Sequence, residues 1–153
     1  MIMGVIVGVV ILVAGGVAAG VLFSVSLSVV PAFLALAPDR YVELHKLVGR
    51  RYDKVMPPTV MTVVVADAVL AATTAEVLVR SLFVLSAILG VGVVVVSQFG
   101  NVPINRQVKS LAPGAVPAAW QDPRRRWRAL NLLRTSFAML GLAINACALL
   151  LAR

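Results

Sequence analysis

From Met1 to Pro38 the chain carries no charged side chain, and the first is Asp39. A run of that length exceeds the roughly 20 helical residues that cross a hydrocarbon layer about 30 Å thick. It predicts a first membrane span that ends near Pro31, with an apolar extension through Leu36. Proline has no N–H to donate, and its ring crowds the carbonyl four residues back, so Pro31 is expected to kink or end the helix. The segment Ala35-Leu36-Ala37 has the small-x-small form of a signal cleavage site. Retention as a helix is nevertheless the expectation. The amino end has no Lys or Arg, the apolar run is much longer than a signal core of about 7–15 residues, and Pro38 would follow the cut.

The same ruler applied along the chain predicts spans at approximately 4–31, 57–75, 78–99 and 129–152, separated by polar loops at 38–56 and 100–128. Pro57-Pro58 suits the start of the second span. The short connection Thr73-Thr74-Ala75-Glu76 makes the second and third spans antiparallel neighbours. None of the runs alternates in polarity as a barrel strand would. The fold class is therefore all-α: one domain, residues 1–153, forming a four-transmembrane-helix bundle. With 61% hydrophobic and 13% charged residues and a mean hydropathy of +1.00, lipid is the natural solvent for most of this surface.

The net charge of +8 would point to nucleic acid in a soluble protein, but here the basic residues cluster beside the apolar runs. Arg40, Lys46, Arg50, Arg51 and Lys54 fall in the first polar loop, and Arg106, Lys109, Arg124, Arg125, Arg126 and Arg128 in the second; the opposite side has only Arg80 and Arg153. Since Lys and Arg are retained in the cytoplasm, both loops are expected there, with both termini on the far side of the cell membrane. The bilayer, and no nucleic acid, is the expected partner. Pro103, Pro113, Pro117 and Pro123 punctuate the second loop, so it should be ordered mainly by side-chain contacts. The run Arg124-Arg125-Arg126-Trp127-Arg128 reads as a topogenic basic cluster with an interfacial tryptophan anchor.

Between Asp39 and Val55 the residues Tyr41, Leu44, His45, Val48, Tyr52 and Val55 recur at helical spacing, which predicts an amphipathic interfacial helix in the first loop. His45 lies on its apolar side and is either a proton shuttle or a packed structural residue. Asp67 falls near the middle of the second span, where an ionised carboxylate costs at least about 2.5–3.5 kcal/mol, so it is either paired structural glue or a functional acid. Trp127, Asn131, Arg134 and Thr135 share one face of the fourth span, while Asn145, deeper, suits an interhelical hydrogen bond. Gly4, Gly8, Gly16 and Gly20 allow close approach of another helix, either within the bundle or in a homo-oligomer.

One histidine and one cysteine, Cys147, leave no internal disulfide, and a metal or haem site would call for ligands from another chain. No phosphate loop, dinucleotide fingerprint, zinc motif or nucleophile elbow occurs. The sequence requires no cofactor.

Asn101-Val102-Pro103-Ile104-Asn105 closes the third span; Arg126-Trp127 and Arg134-Thr135 follow, and His45, Arg51, Asp53 and Met56-Pro57 precede the second. In these segments the chain resembles the anthrone oxygenase-like membrane proteins grouped as domain of unknown function 1772. Fungal members oxidise polyketide anthrones with dioxygen, so the resemblance implies an oxygenase acting on an apolar aromatic or polyketide-like substrate. On that reading His45 or Asp53, or else Asp67, takes the benzylic proton. Arg134, with Asn101, Asn105 and Asn131, stabilises the enolate oxygen, and Trp127 and Asp67 join the substrate-binding set. Where many relatives have a histidine four residues after the motif tryptophan, this chain has Asn131, which cannot titrate. The alternative is a non-catalytic bundle serving as a small-molecule binding, export-accessory or structural subunit.

Overall fold

A computed structural model describes residues 2–112, 114, 116–117 and 119–152, so Pro113 and Arg153 lie outside the described residues. Four long helices dominate: α1 (Ile2–Ala35), α2 (Pro38–Thr73), α3 (Val77–Ser110) and α4 (Arg124–Leu151). Each is long and apolar enough to cross a membrane, and no strand occurs among the described residues. Helices α1 and α3 stand on opposite corners, each packed along both α2 and α4. At most 33% of any span's most apolar window is buried within the protein, so the remaining apolar surface needs lipid. The chain is a multi-pass membrane protein.

The connections explain the up-and-down order. Leu36 and Ala37 are extended, as the residue before a proline prefers, and Pro38 opens α2 without a missing hydrogen bond. At the other end the Glu76 carboxylate accepts from the backbone N–H groups of Leu78 (3.1 Å) and Val79 (2.6 Å) and caps α3. Arg80 folds back to donate to the Thr74 carbonyl at 2.9–3.0 Å.

The helices run well past the apolar stretches. Pro57 and Pro58 lie inside α2 instead of starting it, and the amphipathic segment is one continuous helix with the span that follows. Its apolar side faces protein more than headgroups: Tyr41, Val42 and His45 are buried among Val25, Val30, Phe33, Ile104, Val108 and Trp127. Likewise α3 continues to Ser110, because Ile104 and Val108 pack inward while Arg106 and Gln107 stay in solvent. The basic run predicted as loop forms the first turns of α4.

Pro31 does not end α1. A π-helical turn at Val25–Val29 precedes it, and a second at Ser97–Asn101 precedes Pro103 in α3. In both cases the wider turn ends two residues before the proline, where the helix must accommodate the ring and the absent N–H.

Candidate functional site

The two π turns face the polar stripe of α4 from opposite sides. From α1, Ser26 accepts a hydrogen bond from Asn131 Nδ2 at 2.7 Å and lies 3.0 Å from the Thr135 hydroxyl. From α3, the Ser97 hydroxyl lies 3.5 Å from Arg134 Nη1, and Asn101 Nδ2 donates to the Trp127 carbonyl at 3.3 Å. Asn131 is fully buried, and its Oδ1 accepts from Arg134 Nε (3.2 Å) and Nη2 (2.8 Å). No carboxylate pairs with Arg134 among the described residues. Its guanidinium charge is therefore held by neutral oxygens and remains available to an anion.

One to two turns toward the polar end, α2, α3 and α4 meet at three side chains. Asn105 Oδ1 accepts the Trp127 indole N–H at 2.9 Å and lies 3.2 Å from His45 Nε2. An indole nitrogen only donates, so it is the amide oxygen of Asn105 that faces both partners. His45 Nε2 must then carry the hydrogen it gives to that oxygen, which leaves Nδ1 as the nitrogen with a free lone pair. Nδ1 is buried without a hydrogen-bond partner. Aromatic rings surround the imidazole, with centroids at 5.3 Å for both Phe33 and Tyr41 and 5.8 Å for Trp127. The Tyr41 hydroxyl and Asn101 Oδ1 are also buried and unpartnered. Buried polar atoms are satisfied in more than nine cases in ten, so three unpartnered ones near one aromatic cluster are an uncommon concentration.

Arg124 closes this end. Its Nη1 donates to the Phe33 carbonyl (2.8 Å) and the Leu36 carbonyl (2.6 Å), its guanidinium lies 5.2 Å from the Tyr41 ring centroid, and its Nε donates to both oxygens of Asp122. Those bonds hold the Asp122 carboxyl below the usual carboxylate range.

His45, Asn101, Asn105, Trp127, Asn131 and Arg134 thus belong to one continuous stretch of the bundle. Asp53 is half-exposed and paired with Lys109, and its charge lies close enough to act on both His45 and Arg134. Asp67 is fully buried, but deep in the bundle, where it accepts from Ser86 Oγ at 2.9 Å with Asn145 alongside. At about 1.5 Å per residue, roughly 33 Å of α2 separates it from His45. Among the described residues no three His, Cys, Asp or Glu side chains converge as metal ligands would.

The model of the anthrone oxygenase family matches residues 45–144, from His45 through most of α4. The chain belongs to the anthrone oxygenase family. The match takes in His45, Asn105, Trp127 and Arg134, whereas Ser26, Phe33 and Tyr41, which complete their surroundings, lie before it. No curated protein matches the chain, and no solved structure does. Ser26, Ser97 and Phe33 did not stand out in the sequence, and Tyr41 did so only as part of the apolar face of the predicted amphipathic helix. Serines within apolar runs near a proline were the available signal for the first two, since π turns concentrate at functional sites.

Proposed function

We propose that the chain is a membrane-embedded oxygenase that converts the acidic CH2 of an apolar aromatic, polyketide-like substrate to a ketone with dioxygen. The observation that carries this reading is the Trp127–Asn105–His45 chain of hydrogen bonds, which leaves the lone pair of His45 Nδ1 free inside an aromatic cluster. The rings of Phe33, Tyr41 and Trp127 pack against one another, so a flat aromatic substrate must part them to stack there and present its CH2 to Nδ1.

His45 Nδ1 takes one proton from the CH2, and the electron pair moves into the ring system as an enolate. Arg134 supports the negative oxygen, since Trp127 and Arg134 stand roughly 10 Å apart along α4, on the scale of a fused three-ring system. The carbanion carbon gives an electron to dioxygen, the radical pair combines, and protonation yields a hydroperoxide. Loss of the second hydrogen as a proton then breaks the O–O bond. One oxygen atom stays as the ketone and the other leaves as water. Dioxygen is the only oxidant in this scheme.

Basic residues on Pro38–Val55 and Arg106–Arg128 support a cytoplasmic location for the site end, with both termini on the opposite face. The test is oxygen uptake by the purified chain with a model anthrone. Uptake by the wild type that falls about 100-fold or more in His45→Ala supports the reading. Full uptake in that variant removes His45 as the base. No uptake by the wild type favours the non-catalytic reading, a bundle whose polar stripe is mutually bonded, as Asn131, Ser26 and Thr135 are.

A further inference from the structure

Arg124, Arg125, Arg126 and Arg128 open α4, and their guanidinium groups do different things. Arg124 is committed to Asp122 and to the carbonyls of Phe33 and Leu36. Arg125 and Arg128 are exposed, lie three residues apart on one face, and line a surface cavity of about 660 Å³ together with Leu34, Asp122 and Arg124. Arg126 does not line it. The acid in the wall is Asp122, and Arg124 already engages both of its oxygens. Two guanidinium charges therefore face this cavity without a carboxylate partner among the described residues.

The cavity also straddles the border of the apolar layer. Leu34 lies in the last turn of α1 with no charged residue before it, and the fourth predicted span begins at Ala129, just past the arginine run. Lipid phosphates lie at that depth. We propose that the cavity binds the phosphate of an anionic phospholipid between Arg125 and Arg128, with the first acyl carbons against Leu34. Guanidinium forks match phosphate oxygens in pairs. A zwitterionic headgroup brings an ammonium as well, and the one acid in the wall is already engaged.

Diffuse attraction to an anionic surface counts every exposed arginine about equally, whereas a built site singles out two. Trp120 and Trp127 are the chain's tryptophans and both belong to this end, so they report on nearby lipid. The full chain in phosphatidylcholine bilayers at 0.3 M salt, where long-range attraction is screened, is titrated with brominated phosphatidylglycerol or brominated phosphatidylcholine while tryptophan quenching is followed. The expected preference for phosphatidylglycerol is roughly tenfold or more. Arg125→Ala and Arg128→Ala should reduce it to within about threefold, Arg126→Ala should keep it, and Arg125→Lys should fall between because it retains charge without the fork. No preference in the wild type, or equal losses in the three alanine variants, overturns the site. Displacement of the lipid by millimolar inorganic phosphate reassigns the cavity to a soluble anion and overturns the lipid.

Discussion

The indole N–H of Trp127 donates to Asn105 Oδ1 at 2.9 Å, a bond that runs in one direction only, and it decides which imidazole nitrogen of His45 is bare. Trp127→Phe removes that donor and frees the amide to turn its NH2 toward His45. The imidazole proton would then move to Nδ1 and occupy the lone pair assigned to catalysis. Nitrogen NMR of histidine-labelled protein should show a single Nε2–H tautomer in the wild type and a mixture in Trp127→Phe. Oxygen uptake should fall about tenfold or more in parallel. A variant that keeps the wild-type tautomer would refute the relay.

Arg134 serves two purposes that substitution can separate. Its two nitrogens satisfy the buried Asn131 Oδ1, so Arg134→Met strands that oxygen and should cost about 1–3 kcal/mol in reversible unfolding. Loss of an oxyanion partner should lower kcat by about 100-fold or more. Arg134→Lys keeps a charge but not two parallel donors, and should recover part of the rate and less of the stability. If Met and Lys variants turn over alike, the charge at this position plays no part in the reaction.

The four spans were legible because hydrocarbon imposes a length and a composition, and nothing else in the chain satisfies both. Helix extents were not, since hydropathy marks where lipid ends and not where helical hydrogen bonding does. Pro57-Pro58 looked like a start and sits inside α2, while Arg124 looked like loop and opens α4. The α4 stripe could be read from i, i+4 and i, i+7 spacing within one helix. Its partners Ser26 and Ser97 depend on π turns in α1 and α3, for which a proline two residues on was the local hint, whereas Asn101 was picked out by the Asn101–Asn105 segment. Tyr41 and His45 were placed on one helix face, but only packing of α1, α3 and α4 over it converts that face into a protein interior.

Asp67 is the strongest contrast between composition and position. It accepts from Ser86 at the level of Gly141 and Asn145, far along α2 from His45. Asp67→Asn keeps an oxygen for the Ser86 hydroxyl, so oxygen uptake should stay within about twofold of wild type. Asp67→Leu leaves the Ser86 hydroxyl only the Gly141 carbonyl at 3.3 Å and should lower stability by about 1–3 kcal/mol. A large loss of turnover in the asparagine variant, with unchanged unfolding, would return Asp67 to the catalytic set.

The small-residue spacing in α1 divides in the structure. A side chain at Gly8 would meet Leu149 at 2.8 Å, so this glycine serves packing between α1 and α4 of one bundle. Gly4, Gly16 and Gly20 have nothing within 4 Å and form the open part of the stripe. Gly8→Ile should destabilise the monomer by about 1–3 kcal/mol, whereas Gly16→Ile should change it by no more than about 0.5 kcal/mol. Cross-linking in bilayers then addresses association separately: a homo-oligomer built on the open glycines should be lost in Gly16→Ile and Gly20→Ile. Persistence of cross-links in both would place any self-association on another face.

Acid sensitivity should be concentrated where Asp122 meets Arg124. The carboxyl is held below its ordinary value of 3.8, first by the Arg124 side-chain bonds, so the folded state binds its proton less readily than the unfolded chain. Its contribution is therefore fully present above that value and is lost as pH falls through the lower folded value, a window below about pH 4. The Asp122 side chain is 41% exposed, so the contribution stays within about 1 kcal/mol. Asp122→Asn cannot titrate, while Arg124 retains its bonds to the Phe33 and Leu36 carbonyls. Thermal midpoints should favour the wild type near pH 7, converge with those of Asp122→Asn as pH drops below about 4, and meet under stronger acid. Parallel curves across that range would mean that α4 is tied to α1 by the carbonyl bonds alone.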